Sequence, residues 1–198
     1  MSAQVLEQAA FALVAGQVVA IPTDTVYGLA VDPERQGATE VLFVLKHRSR
    51  ALQLPVLVSG ANQAEALVDD GLPIVARRIA ESFWPGAVTL VLRRRAGVYW
   101  DLGGEETTIG LRCPAHPVAR ALCERVGPLA TTSANIHGEP PLATAEELRR
   151  CFGDTVAMVI DGGRLTGEPS TVVDVTGSEL RCLREGVVPF GDLEDLSR

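Results

Sequence analysis

A chain of 198 residues, 46% hydrophobic and 22% charged, has globular composition and enough length for one sizeable core or two small ones. Its formal charge of -7 excludes a surface that is basic throughout, as duplex binding demands, and leaves room for a local basic patch. Low aromatic content (5%) and 19 glycines suit an α/β domain with many tight turns.

The N-terminal MSAQVLEQAAFALVAGQ has no basic lead, and Leu6, Ala10, Leu13 and Val14 share one helical face, which predicts an amphipathic helix over 3–15 rather than a signal peptide. No run approaches 18 apolar residues, so the expectation is a soluble cytoplasmic protein with no membrane segment. Short Val-, Ile-, Leu- and Thr-rich runs bounded by Gly, Pro or Asp then predict strands at 17–22, 26–32, 55–60, 87–93, 107–113, 128–134, 155–161, 170–176 and 179–185. Between them, helical patterns fall at 37–46, 61–69, 72–82, 116–126 and 144–152. Pro117 and Gly127 frame the fourth of these, and Thr144 with Glu147 forms a capping box at the start of the fifth. The irregular stretch 96–106, AGVYWDLGGEE, is a candidate flap. Early alternation followed by consecutive strands from 155 to 185 predicts a single α/β domain over 1–198. It would have a mixed sheet, flanking helices and an antiparallel portion near the C-terminus.

Several chemistries lack their signatures. There is no GxxxxGK[ST], no GxGxxG after a strand and no GxSxG elbow. His47, His116 and His137 show no metal spacing, and Cys113, Cys123, Cys151 and Cys182 contain no CxxC pair. The cysteines read as buried hydrophobes in a reducing compartment.

Four constellations remain. PTDTVYGLA (22–30) packs Thr23, Asp24, Thr25 and Tyr27 just past an apolar strand. If extended, it presents Thr23, Thr25 and Tyr27 on one face, a row of hydroxyls suited to a small zwitterion. The alternative is a turn whose side chains serve the local backbone. KHRSR (46–50) places Lys46 and Arg48 where an extended helix exit would let both clamp a polyphosphate, or else simply ends a solvated helix. TTSAN (131–135) alternates Thr131, Ser133 and Asn135 onto one face at a strand's carboxyl end, where α/β sheets gather ligands. Thr108 and Arg112 share a face of TTIGLRC, and Ser170 and Arg184 stand in STVVD and LREG. Together these sets supply hydroxyls and at least three cations, a combination that fits a small amino acid beside a nucleotide.

PTDTVYGLAVD, KHR, PGAVTLVL, IGLRCPAHP, TTSAN with Gly138, and STVVDVT occur in the order and approximate spacing of the YrdC-like threonylcarbamoyl-AMP synthases, which the chain resembles from about residue 8 to 187. The resemblance implies a twisted mixed sheet with an open concave ligand face and no C-terminal accessory domain. It implies an enzyme that joins L-threonine, bicarbonate and ATP into threonylcarbamoyl-AMP and pyrophosphate for N6-threonylcarbamoyladenosine formation in tRNA. A separate transferase complex would receive the intermediate, and Mg²⁺ would travel with the triphosphate. By position, Thr25, Tyr27, Arg112, Thr131 and Ser170 would hold threonine. Lys46, Arg48, Thr108, Ser133, Asn135 and Arg184 would hold ATP, with Lys46 and Arg48 central to the chemistry. The chain departs from the family at Ser49, Leu52, Pro141 and Glu185, the last a carboxylate beside a phosphate-binding Arg. Three alternatives remain open: an RNA-binding module using RRR (93–95) and KHRSR, a carbamoyl-adenylate former as in hydrogenase maturation factors, and a paralogue without synthase activity.

Overall fold

The computed structural model describes residues 2–136 and 138–197. His137 lies outside the described residues. Nine strands form one sheet: β1 Val19–Ile21, β2 Gly28–Val31, β3 Val56–Leu57, β4 Val88–Arg93, β5 Thr108–Arg112, β6 Leu129–Ser133, β7 Met158–Val159, β8 Thr171–Asp174 and β9 Arg181–Arg184. The α-helices are α1 Ala3–Val14, α2 Ala38–Leu45, α3 Ala61–Glu65, α4 Ile74–Phe83, α5 Pro117–Val126, α6 Ala145–Phe152 and α7 Phe190–Glu194. Each strand and helix falls on a sequence-predicted segment except α7, which is new.

Strand order is β7-β1-β2-β6-β3-β5-β4-β8-β9. β1/β7, β3/β5 and β4/β8 are parallel and the other neighbours antiparallel, so antiparallel pairing runs through the sheet rather than gathering at the C-terminus. The expected turn between the strands at 155–161 and 170–176 is also corrected. β7 lies at one edge of the sheet and β8 next to the other. Seven strand spacings amount to about 34 Å along the sheet. Residues 160–170 make this crossing, and eleven residues reach at most about 36–40 Å, enough to span it.

Alternation sorts the strand residues between two cores. Leu29, Val56, Leu90, Leu111 and Ala130 join residues of α2, α4, α6 and α7 on one face. Ala30, Leu57 and Leu129 join α1 and α5 on the other. Each fully buried Leu or Val contributes about 1.5–3 kcal/mol by leaving water. Arg112 pairs in register with Leu57 and so shares the α1/α5 face. α1 packs on β1 and α5 on β3, and the polar residues gather beyond β3, around Arg112.

Local chemistry fixes the helix ends. Ser2 caps α1, Pro117 starts α5, Gly127 ends it at φ 112°, and the Thr144–Glu147 capping box is complete in both directions. The end of α2 matters most. His47 adopts φ 49°, its N–H bonds Val44 O, and Arg48 N–H bonds Phe43 O. This is a Schellman stop with His where Gly is usual, and it reverses the chain between Lys46 and Arg48.

Candidate functional site

Residues 22–27 form a turn rather than an extended wall. Thr23 Oγ1 donates to Val26 O (2.6 Å), accepts from Thr25 N–H (3.2 Å) and lies 3.0 Å from Thr25 Oγ1. Both hydroxyls of the expected pair therefore sit together, while Tyr27 leaves them. Tyr27 is fully buried, its hydroxyl donating to Gly163 O (2.8 Å) and accepting from Gly162 N–H (2.9 Å). The chain is not extended there, so the Tyr27 hydroxyl anchors the strap, while the residue still borders the cavity that Thr25 lines. The strap then presses on the turn, with no room for a Cβ at Gly162 against Pro22 or at Gly167 against Thr25 O.

Arg112 is buried and held on three sides. Nε donates to Gly86 O (2.9 Å), Nη1 to Thr25 Oγ1 (2.9 Å) and Nη2 to Asp24 Oδ1 (2.8 Å), the same oxygen that accepts Ala115 N–H. A guanidinium has five N–H donors, so these three bonds leave two, one on each terminal nitrogen, a fork suited to a carboxylate. Arg184 gives Nε and Nη2 to Ser170 O and reaches Ser170 Oγ (3.2 Å), which also lies 2.9 Å from Thr89 Oγ1. Thr89 was not among the sequence-predicted site residues, and Asp24 was left off the predicted hydroxyl row. Thr89 gave no signal within AVTLVL; its hydroxyl matters only because β8 pairs alongside β4.

Thr25, Arg48, Arg112, Thr131, Ser170 and Arg184 all line one cavity of about 140 Å³. That is well below the 300–1,000 Å³ of drug-sized sites, so it admits a small molecule and leaves a nucleotide to lie outside it. Thr131 Oγ1 donates to Pro55 O (3.3 Å) and keeps its lone pairs for a ligand. Leu57, Pro141 and Pro169 supply apolar wall.

Beside the cavity, Lys46 Nζ donates to Ser133 O (2.5 Å), Ser133 Oγ (3.0 Å) and Asn135 Oδ1 (2.7 Å). Ser133 Oγ donates to Asn135 Oδ1 (2.6 Å), and Asn135 Nδ2 donates to Ile136 O and Glu139 O. The three residues thus come together as expected, but their protons are spent on one another. All three Lys46 donors are used, which leaves its charge as what it can offer a ligand. It is 2% exposed, and burial followed by repulsion from Arg48 lowers its pKa to about 8.

The repulsion continues in a chain. Burial and then Arg184 lower the Arg48 pKa, and burial and then Arg112 lower that of Arg184. For Arg112 burial lowers the pKa and Asp24 opposes it. Four cations therefore converge, and Arg112–Asp24 is the one ion pair found at them among the described residues. Like charges so placed disfavour one another, and an anion joining them favours their charged forms.

Thr108 stands apart. Its hydroxyl donates to Glu105 O (3.2 Å), and the residue borders a different, larger cavity of about 980 Å³ under the 96–107 loop. The arginines there serve the fold. Arg93 donates to Thr176 O, Arg94 to Trp100 O and Arg95 to Val68 O and Glu65 O, while Arg50 pairs with Glu40 and Asp101. RRR and the distal part of KHRSR therefore offer few free cations to an RNA backbone. Glu185 also turns away from Arg184, accepting Phe190 N–H (2.9 Å) at the start of α7.

Comparison with known proteins accords with this arrangement. Residues 12–186 match the Sua5/YciO/YrdC family, whose description reads telomere recombination. The chain belongs to that family. A Mycobacterium tuberculosis relative is 44% identical over 178 residues, 89% of this chain and 82% of its own. One from Idiomarina loihiensis, named threonylcarbamoyl-AMP synthase, is 38% identical over 156 residues, 78% of this chain and 84% of its own. The crystal structure of Pyrococcus abyssi Sua5 complexed with L-threonine superposes with a TM-score of 0.90 at 34% identity, over 96% of this chain and 56% of that one. The family chain thus folds as a mixed α/β sheet with flanking helices, and its cation-rich cavity lies beyond β3, around Arg112. No helix among the described residues is long and apolar enough to cross a membrane.

Proposed function

We infer that the chain is a threonylcarbamoyl-AMP synthase, which joins L-threonine, bicarbonate and ATP into threonylcarbamoyl-AMP and pyrophosphate. The observation that carries this is the line of four cations, each repelled by the next, beside a 140 Å³ cavity walled by hydroxyls. The cavity has the size for one amino acid, and the cations call for a polyanion next to it. Curated relatives bearing the synthase name support the same reading.

In this reading the two free N–H groups of Arg112 receive the threonine carboxylate, and the lone pairs of Thr25 and Thr131 receive its N–H or O–H donors. Ser170 lies between Arg184 and Thr89, where it lends a hydroxyl to the reacting region. Arg48 and Arg184 reach the phosphates, and Lys46 adds its charge from behind Ser133. Thr108 is too far along β5 to enter the cavity, so its part is with the far end of the nucleotide.

The threonine ammonium gives up one proton to solvent, and the free amine and bicarbonate then give a carbamate and water. A carbamate oxygen then attacks the α-phosphorus and pyrophosphate leaves. The carbamate is already anionic, so alignment and charge neutralisation do the catalysis and no general base is needed. Mg²⁺ would supply further neutralisation of the triphosphate. No described residue lining the cavity is a carboxylate, and no described group of His, Cys, Asp or Glu forms a metal cluster, so phosphates and water would hold that ion. We propose further that the product passes to a tRNA threonylcarbamoyl-transferase.

Incubating the purified chain with ATP, bicarbonate and L-threonine and resolving the nucleotides by chromatography with mass detection tests the reading. An adenylate carrying the threonylcarbamoyl mass is expected, absent when threonine is left out. Recovery of ATP alone would overturn it.

A further inference from the structure

The hydroxyl network under Arg112 has only one consistent arrangement of protons. Thr23 owns a single hydroxyl proton, and Val26 O, 2.6 Å away, can only accept it. The short contact of 3.0 Å between Thr23 Oγ1 and Thr25 Oγ1 must then be made with the Thr25 proton. Thr23 Oγ1 accepts Thr25 N–H as well, which completes its capacity of one donor and two acceptors. Thr25 Oγ1 accepts from Arg112 Nη1, which has no lone pair to offer in return. One lone pair on Thr25 is left.

We propose that Thr23 is a positioning residue that sets the polarity of the amino-acid pocket: by taking the Thr25 proton, it makes Thr25 an obligate acceptor toward the ligand. The ligand group that Thr25 meets is therefore an N–H or O–H donor, an ammonium or a hydroxyl, and never a carboxylate oxygen. Thr23 is 5% exposed and Thr25 3%, so water competes little for either hydroxyl. The neighbouring Arg112 fork has the opposite polarity, all donor. Donor and acceptor sides stand next to each other, joined by the Arg112–Thr25 bond, as a zwitterion requires. The proposal rests on the reading of this cavity as the threonine site.

The test is Thr23→Val, which keeps the shape and removes the acceptor. The Thr25 proton is then free to turn into the cavity, where it opposes a ligand donor. Titration calorimetry of the full chain with L-threonine is expected to show binding about tenfold weaker. The ATP KM and the kcat at saturating threonine should stay within about twofold of wild type. Thr23→Ser, which restores the hydroxyl, should return threonine affinity to within about twofold. If Thr23→Val does not fold, Thr23→Cys, a poor acceptor of similar size, is measured instead with the same expectation. Unchanged threonine affinity in a folded variant overturns the proposal, as does a loss shared equally by threonine and ATP. A wild-type chain that binds no threonine overturns the synthase reading along with it, which distinguishes the two failures.

Discussion

Gly167 sits where the strap crosses the turn at 22–27, and a Cβ there would stand 2.3 Å from Thr25 O, 3.0 Å from Thr25 C and 3.2 Å from Thr25 Cα. Ordinary contact needs about 3.5 Å, so Gly167→Ala must drive the strap and the Thr25 backbone apart by about 1 Å. Neither partner can yield by a rotamer change, because both are backbone. The strap is pinned by Tyr27 at Gly162 and Gly163 and by the Leu165 N–H bond to Ala143 O, which leaves Thr25 to move. A displacement of that size at a positioning group costs about 100-fold in turnover, and overpacking costs about 1–3 kcal/mol in stability. The control is Gly163→Ala. It meets nothing within 4 Å, but its φ of +81° strains any Cβ-bearing residue, by about 1–2 kcal/mol. Steady-state kinetics with threonine varied, alongside thermal unfolding, separates the two. Gly167→Ala should lose kcat/KM for threonine by one to two orders of magnitude, on the order of 10–100-fold, whereas Gly163→Ala loses stability and keeps its threonine KM. Wild-type threonine kinetics in a folded Gly167→Ala would refute the argument that the strap fixes Thr25.

Lys46 titrates at about 8 in the free protein, and an anion favours its charged form. ATP affinity measured without bicarbonate should therefore be level below the pKa and fall as pH rises through about 8, by up to tenfold per unit. The sign for stability is opposite. The folded pKa lies below the ordinary lysine value of 10.5, so the unfolded chain holds the proton longer, and Lys46 makes unfolding harder as pH rises from about 8 toward 10.5. His47→Gly relieves a left-handed residue at the α2 stop and should raise stability by about 0.5–1 kcal/mol in urea unfolding while leaving the ATP KM unchanged. Glu185→Ala removes an acceptor at the start of α7 and should cost about 0.5–1 kcal/mol with no change in ATP KM. A tighter ATP KM would mean that the carboxylate does compete for Arg184.

Much of the fold was legible because its elements are short, strongly patterned and punctuated by Gly, Pro and caps such as Thr144–Glu147 and Pro117. Helix α7 was not, since five residues with one buried anchor, Leu193, carry no measurable period. The partners of β7 were not legible either, because pairing with β1 at the far edge is a property of the whole sheet. In the site, Lys46, Ser133 and Asn135 come together, and the chain leaves α2 through a Schellman stop at His47 where an extended exit was expected. The partners of the Tyr27 hydroxyl were not legible, because extended alternation fails where Thr23 folds the backbone into a turn. Asp24 was read as facing away, yet the same turn brings it to Arg112. Thr89 became visible only through the parallel register of β4 with β8.

Pyrophosphate release from ATP with bicarbonate, with and without L-threonine, in wild type and Arg48→Ala, tests the central claim most directly. Arg48 reaches the cavity half-buried and its only hydrogen bonds found among the described residues run to the carbonyls of Leu52 and Gln53, so its charge remains available to phosphate. Release that requires threonine and falls by about 100-fold or more in Arg48→Ala is expected, since two or more charge-assisted bonds to the phosphates are lost. Threonine-independent release, or undiminished release from Arg48→Ala, would contradict the claim that Lys46, Arg48 and Arg184 hold the triphosphate beside a threonine pocket anchored by Arg112.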